Sequence, residues 1–341
     1  MRKTQMALAA VALVASSAAL AQVTASGSID LGVGTFNSAG APGTNKMGVQ
    51  EGAVNGGSIF TVSGSDDLGG GMKASFTLQH GFNAATGAIS NGGNVGADNA
   101  TFNRQANVAL SGGFGTITIG NQLNAYIPGA AGTTLPGSMF GAFDVAAIVG
   151  SGEATGGGGN AGGFFTRDAI TYASPDMGGM SFAIQQQVQG QNASNYAMTA
   201  ANAAASLGSV KATFGWIDRT NTQTSWTLGA SAPIGPVTAN LRYTSSDPAG
   251  AAAEVKQWRG GVSYALTEAT TLTLQHATNS GAGNGALTSV GALYSLSKAT
   301  SAYVHYSGAT GGFAGGGVYG SAFSTAGKGG SSAAVGIVTN F

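Results

Sequence analysis

Side chains that could do chemistry are few in this chain and widely separated. The three histidines, His80, His276 and His305, lack the short spacing that metal ligands usually show. Cysteine is absent, which excludes thiolate metal sites and a thiol nucleophile. The sequence also lacks a nucleophile elbow, a phosphate-binding loop and an H-E-x-x-H motif, and Asp66-Asp67 fits a turn better than a catalytic carboxylate pair. We therefore predict no enzymatic activity, no metal and no cofactor.

Charged side chains along a water-filled passage could instead act through their electric field. Alternation along the predicted strands places Asp30, Arg242 and Arg259 on polar faces. Opposed charges across a narrow aqueous section order water and bias the choice of ions. The same alternation selects four further side chains: Lys73, Lys211, Tyr303 and His305. Each charge could equally be a solvated rim residue, which is the better interpretation for the two lysines because they lie near short turns.

Composition excludes several other classes of protein. Charged residues make up 8% of the chain, against about 25% in an ordinary soluble domain. Acidic and basic residues balance to a net charge of zero, so a basic face for nucleic acid is not expected. Apolar runs in the sequence are also too short for the about 18 consecutive apolar residues of a membrane-spanning helix, which excludes a helical membrane protein.

The start of the chain has the order of a secretory signal peptide. A basic pair at 2–3 precedes an apolar stretch at 6–14, and the small residues of a cleavage site follow at 19–21. The apolar stretch is too short for the about 20 residues of a membrane anchor. We predict that residues 1–21 are removed and that 22–341 form the mature protein, with 11 basic and 13 acidic residues and a net charge of −2.

Segments of the mature chain alternate between apolar and polar side chains. In a β-strand this pattern gives one apolar face and one polar face. The polar faces here carry Thr, Ser, Gln and Asn, whereas those of a soluble β-sandwich usually carry many lysines and glutamates. The clearest segments are Met72–His80, Met180–Gln189, Pro236–Tyr243 and Gln257–Leu266. An apolar face toward lipid and a polar face toward a watery lumen are typical of a transmembrane β-barrel.

The connections between these segments are alternately tight turns and long stretches rich in Gly, Ala, Ser and Asn. Short turns at one rim and long loops at the other are typical of bacterial outer-membrane barrels. We therefore predict an all-β fold, a transmembrane antiparallel β-barrel of about 16 strands with short periplasmic turns and long extracellular loops. A barrel of that size has room for an aqueous channel.

Two other interpretations fit parts of the pattern. A Gly/Ala-rich surface adhesin built as a soluble β-solenoid would show a fixed repeat, and none is evident in the sequence. An outer-membrane barrel enzyme would need a Ser/His/acid set on adjoining strands. Alternation leaves His305 as the one histidine on a polar face, which does not favour such a set.

Aromatic residues on the apolar faces fit the interfacial girdles of a barrel, and an aromatic ligand platform is the alternative. These residues are Trp216, Trp226, Tyr243, Trp258, Tyr264 and Tyr294. The last alternating segment, 335–341, finishes on Phe341. We predict that Phe341 is the assembly signal through which the C-terminal strand meets the outer-membrane assembly machinery.

Four stretches resemble the general porins of β-proteobacteria, and the resemblance extends over essentially the whole mature chain. The stretches are Val62–Ala74, Arg104–Thr116, Ala169–Asp176 and Tyr294–Thr300. The resemblance implies a barrel of about sixteen strands in the lipid of a Gram-negative outer membrane. It also implies a homotrimer that lets small hydrophilic solutes and ions diffuse passively. The third extracellular loop of this family folds into the pore, and 123–166, with Asp144 and Glu153, occupies its position.

The chain departs from this family where basic residues are common. The positions concerned are Ile59, Ser63, Gln105, Asn121 and Thr339. By strict alternation Arg104 falls on the apolar face of Val108 and Leu110, and only a β-bulge would place it in the lumen. The residues predicted to line or constrict the pore are Asp30, Gln105, Asp144, Glu153, Arg167, Arg242 and Arg259. Because the basic cluster is thinned and the mature net charge is −2, we predict weak selectivity, neutral to mildly cationic.

Overall fold

The structure is a computed structural model that describes most of the chain. The described residues are 22–38, 46–51, 57–89, 101–135, 164–188, 198–220, 223–248, 254–281, 284–311 and 330–341. Within these ranges the chain forms seventeen β-strands and one short α-helix. Among the same residues, no helix is both long enough and apolar enough to cross a lipid bilayer.

The strands follow one another with little other regular structure between them. The first eight are β1 (Gln22–Ser38), β2 (Lys46–Glu51), β3 (Ser58–Gly69), β4 (Met72–Phe82), β5 (Gln105–Gly112), β6 (Gly115–Leu123), β7 (Phe165–Ala173) and β8 (Met180–Gln187). The others are β9 (Met198–Leu207), β10 (Val210–Arg219), β11 (Gln223–Ile234), β12 (Val237–Pro248), β13 (Val255–Ala265), β14 (Thr270–Ser280), β15 (Gly285–Ser295), β16 (Thr300–Gly311) and β17 (Gly330–Asn340). Helix α1 (Tyr126–Ala131) lies between β6 and β7.

These strands close into a barrel. From β3 onward each strand pairs antiparallel with the next, and β17 pairs with β1 from Ser28 to Ser38. Strand β1 pairs with β3 through its first half and with β2 through its second half, so β2 and β3 share one position in the wall. The described strands therefore occupy sixteen positions, which confirms the predicted barrel. Closure pairs backbone groups between neighbours and removes the free edges that lipid could not solvate.

The two faces of the wall differ as the alternation predicted. On β14, Leu272 and Leu274 are exposed outward, whereas Thr273 and Gln275 are buried on the inward face. The outward face also carries the six predicted girdle aromatics, and the rings of Trp226 and Trp258 both contact Tyr243, with centroids 5.2 and 4.7 Å apart. An apolar exterior with a polar interior is the arrangement that suits a wall between lipid and water.

Candidate functional site

The barrel interior is lined mainly by hydroxyl and amide side chains. On β11 to β16 the inward positions hold buried uncharged polar residues. Examples are Ser225, Thr227, Thr244, Gln257, Gln275, Ser289 and Ser307. Because such groups hydrogen-bond to water without carrying charge, they make a hydrophilic lining with little field of its own.

A positive patch lies on the inner wall of β12 and β13. Arg242 and Arg259 are direct cross-strand partners. Both face inward, and they are only 3% and 2% exposed. Two like charges on opposed strand positions are destabilising unless other groups compensate them, and both arginines have such interaction partners.

An acidic group lies on the wall made by β1, β16 and β17. Asp30 is fully buried on the inward face, and its backbone N–H donates to the Ser58 hydroxyl at 3.2 Å. Tyr303 lies on the same wall, since it pairs with Gly336, which in turn pairs with Gly32 of β1. The Tyr303 hydroxyl lies over Gly32 and Gly336, where an added Cβ would be only 2.7 and 2.3 Å from it. These two glycines therefore provide the space that the Tyr303 side chain occupies.

His305 follows Tyr303 on the same inward face and is 4% exposed. Its Nε2 atom is 3.0 Å from the hydroxyl of Ser307. The other two histidines lie apart from it, since His276 is 2.8 Å from the Thr288 hydroxyl on the outward face and His80 stacks on Phe82. Within the described residues no group of three metal-ligating side chains forms.

The position predicted for Arg104 from alternation is wrong. Its Nε atom donates to the side-chain oxygen of Gln79 at 2.9 Å, on the inner wall. Its guanidinium lies 4.7 Å from the ring centroid of Phe165. Strand β5 begins one residue later, so Arg104 lies outside the strand ladder and the alternation does not govern its side chain. Gln105, the first residue of β5, is half-buried on the inward face.

Arg167 lies at a β-bulge between β6 and β7. Gly120 pairs with Ala169 and Gln122 pairs with Thr166, so that Arg167 and Asp168 both oppose the single residue between the two partners on β6. Asp168 adopts a φ of 52°, which is uncommon for a residue with a side chain. The bulge places the half-buried Arg167 side chain at the base of the 123–166 segment.

Most of that segment lies outside the described residues, and so do Asp144, Glu153 and the predicted signal peptide. The described beginning of the segment enters the barrel. Helix α1 and its neighbours form an apolar cluster with the inner faces of β9 and β10. The cluster consists of Ala125, Tyr126, Ile127, Ala130, Phe164, Met198, Ala200 and Ile217. This part of the wall is apolar on its inward face, which the alternation did not predict.

Wall amides hold the same segment by its backbone. The Gln185 side chain donates to the Leu123 carbonyl at 3.0 Å and accepts from the Ala125 N–H at 3.2 Å. The Asn202 side chain donates to the Ala125 carbonyl at 2.7 Å. The Asn240 side chain donates to the Thr133 carbonyl at 2.8 Å. Because these bonds come from three different strands, they fix residues 123–133 along the wall.

Glycines allow α1 to touch the wall backbone. A Cβ added to Gly129 would lie 2.2 Å from the Phe214 carbonyl oxygen and 2.6 Å from the Gly215 Cα. A Cβ added to Gly215 would lie 2.9 Å from the Tyr126 carbonyl oxygen. The helix and β10 are therefore closer together than residues with side chains at these two positions would permit.

Phe341 closes the seam between the first and last strands. Its N–H donates to the Gly27 carbonyl at 3.0 Å, and the Gly27 N–H donates back to its carbonyl at 2.9 Å. Its ring covers Gly27, where an added Cβ would lie 2.5 Å from the ring. The outward-facing ring is itself 61% exposed.

Comparisons with known proteins agree with this architecture. A family model described as Gram-negative porin matches residues 7–334. Outer membrane porin protein 32 of Delftia acidovorans is 33% identical over 184 residues, which cover 53% of this chain and 48% of that protein. Major outer membrane protein P.IB of Neisseria gonorrhoeae is 30% identical over 201 residues, covering 57% and 51%. The chain thus spans about half the length of these curated relatives.

Solved structures share the fold at lower sequence identity. An anion-selective porin from Comamonas acidovorans superposes with a TM-score of 0.76 at 22% identity, covering 94% of this chain and all of that one. OmpF of Salmonella typhi superposes with a TM-score of 0.65 at 16% identity, covering 94% and 97%. With the family model matching residues 7–334, the chain belongs to the Gram-negative porin family and is a protein of the outer membrane.

Proposed function

We propose that this protein is a passive channel that lets small hydrophilic solutes and ions cross the outer membrane, with no catalytic step. The observation that carries the proposal is the closed wall of sixteen strand positions with a polar inward face and an apolar outward face. A barrel of this size encloses an aqueous passage when its interior is hydrophilic.

The 123–166 segment is the proposed constriction of this channel. The docking of its first residues on the inner wall supports this role. Asp144 and Glu153 are its proposed acidic groups, and Arg167, Arg242 and Arg259 are the proposed basic ones. Opposed charges across the narrow section would set a transverse field that favours polar solutes over apolar ones.

The proposed partners follow from the family and the outward face. They are outer-membrane lipid, two further copies of the chain in a homotrimer, and the assembly machinery that meets Phe341 on the C-terminal strand. Residues 1–21 are the proposed export signal. The pairing of Phe341 with Gly27 supports a role of this residue in closing the barrel.

Ion selectivity is proposed to be weak, neutral to mildly cationic. The Comamonas structure is described as an anion-selective porin, but its identity of 22% relates the two chains by fold alone. The residues of this chain favour neutral to mildly cationic selectivity instead, because Arg242 and Arg259 are buried and the mature chain carries a net charge of −2.

Planar bilayer recording tests the channel directly. Detergent-extracted, folded protein is expected to give large ohmic current steps, in groups of three if the trimer inserts intact. The reversal potential in a salt gradient is expected to lie near zero or slightly on the cation side. A folded protein that never conducts would contradict the channel and favour the surface-adhesin alternative, whereas a strong anion preference would contradict only the proposed selectivity.

Of Arg104 and Arg259, Arg104 is expected to contribute more to the ion selectivity of the channel. It is half-buried beside Gln79, whereas Arg259 is 2% exposed. An ion can approach the more exposed Arg104 guanidinium more closely than the covered one, and the Coulomb interaction between two charges weakens as their distance grows. Arg104→Gln should therefore shift the reversal potential toward cations by more than Arg259→Gln does. Equal shifts in the two variants would contradict this ranking.

A further inference from the structure

Inward side chains are covered unevenly around the barrel. On β11, β14 and β15, Thr227, Gln275 and Ser289 are 0%, 1% and 4% exposed. Several inward side chains of β3, β4 and β5 are only half-buried. These are Thr61, Ser63, Thr77, Gln79, Gln105 and Asn107, and together they are called the amide strip. Since α1 packs against β9, β10 and β11, the more open side of the interior is the side of the amide strip.

The amide strip consists of two cross-strand rows. Thr61 pairs with Gln79, which pairs with Gln105. In the second row, Ser63 pairs with Thr77, which pairs with Asn107. Direct cross-strand partners on one face have Cβ atoms about 4.5–5.5 Å apart. The six side chains therefore form a continuous polar surface across three strands.

Hydrogen bonds within the wall orient these amides but leave part of their capacity free. The Gln79 side chain donates to the Thr61 hydroxyl at 3.0 Å, and the Asn107 side chain donates to the Asn121 carbonyl at 3.0 Å. A primary amide has two donor hydrogens and an oxygen with two lone pairs. Gln105 also donates to Gln79 at 3.5 Å, and Asn107 donates to Gln105 at 3.4 Å. The donors and acceptors that remain belong to inward side chains that are only half-buried.

The chemistry of this surface is uncharged. Arg104 lies at one edge of the strip, where Gln79 and the Phe165 ring hold its guanidinium. Amides and hydroxyls at fixed spacing can donate to and accept from the same hydroxyl group of a solute. An ion gains less from them, because leaving bulk water costs it more than neutral partners return.

We propose that the amide strip is a weak binding site for small uncharged solutes rich in hydroxyl groups, with saccharides as the class. The proposal rests on the proposed channel function, and it names the class of solute that the amide strip binds. The two cross-strand rows of the amide strip can hydrogen-bond to several neighbouring hydroxyl groups of one saccharide at the same time. A single row would offer fewer simultaneous hydrogen bonds.

Ion current through single channels provides the test. A disaccharide is expected to lower the conductance saturably, whereas a polyethylene glycol of equal hydrodynamic radius should lower it only in proportion to its concentration. Gln105→Leu keeps the size of the side chain and removes one amide of the strip. This substitution is expected to raise the half-saturating disaccharide concentration about fivefold, the effect of one net hydrogen bond. Asn107→Leu should act in the same direction in a second variant.

Gln257→Leu is the matched control, because the same change is made at a side chain that is 2% exposed on the covered wall. It should leave the disaccharide titration unchanged. Equal effects of the disaccharide and the polymer on the unaltered protein would overturn the saccharide site while leaving the channel intact. The site would also be overturned if folded Gln105→Leu and Asn107→Leu channels titrated like the unaltered protein. Absence of any conductance would instead overturn the channel function itself.

Discussion

Gly129→Val is expected to lower the single-channel conductance about twofold and to make the open-channel current noisy, because a lumen constriction sets the current. The added Cβ would lie 2.2 Å from the Phe214 carbonyl oxygen and 2.6 Å from the Gly215 Cα, and backbone atoms of a paired strand cannot move aside cheaply. Overpacking of this kind costs about 1–3 kcal/mol. The helix is therefore expected to shift away from the wall and toward the barrel axis.

Gly113→Val provides the control for this experiment. Gly113 lies in the short turn between β5 and β6, and a Cβ built there meets nothing within 4 Å. Its conductance and noise should match those of the unaltered protein. Both variants should show the mobility shift on heating that distinguishes a folded barrel from an unfolded chain. A folded Gly129→Val channel with unchanged current would mean that the docked segment does not border the conducting path.

The barrel itself could be predicted from the sequence because its two faces meet different solvents. Lipid selects Leu272 and Leu274 on one face of β14, and water selects Thr273 and Gln275 on the other, so these four residues alternate strictly. The ends of the strands are harder to predict from the sequence. The alternating segment 236–243 continues in the structure as β12 to Pro248, since Ser245 and its neighbours still pair in the ladder although they lack the apolar side chains that lipid requires.

The interior could be predicted only where a simple alternation applies. Asp30, Arg242 and Arg259 lie on the inward face because they occupy regular strands. Arg104 was misplaced because it precedes its strand, and a residue outside the ladder can turn either way. Helix α1 could not be predicted from the sequence, because its six residues, YIPGAA, are too few to show helical periodicity. The apolar inward face of β9 could not be predicted from alternation, because small residues, mostly alanine, occupy both faces of this strand.

Gly27→Val and Phe341→Ala are both expected to reduce the fraction of protein that closes into a barrel. The Gly27→Val side chain would lie 2.5 Å from the Ile59 carbonyl oxygen and 2.5 Å from the Phe341 ring, at the seam where β1 meets the last residues of the chain. Relief of such contacts costs about 1–3 kcal/mol. Phe341→Ala keeps the two backbone hydrogen bonds to Gly27 but removes the ring that covers it. Refolding yield, read from the heat-dependent mobility shift, measures both losses.

Val335→Ala is the matched control for the aromatic substitution, because Val335 is 60% exposed on the outward face and Phe341 is 61% exposed. If exposure to lipid alone mattered, the two alanine variants would lose folding yield only in proportion to the apolar side-chain area removed, which is larger for phenylalanine. If the contact with Gly27 matters, Phe341→Ala should lose more than this proportion. The double variant Gly27→Val/Phe341→Ala should then lose less than the sum of its single changes, since the ring that the valine would strike is gone. Strict additivity would mean that Gly27 and Phe341 close the seam independently, through their backbone pairing alone.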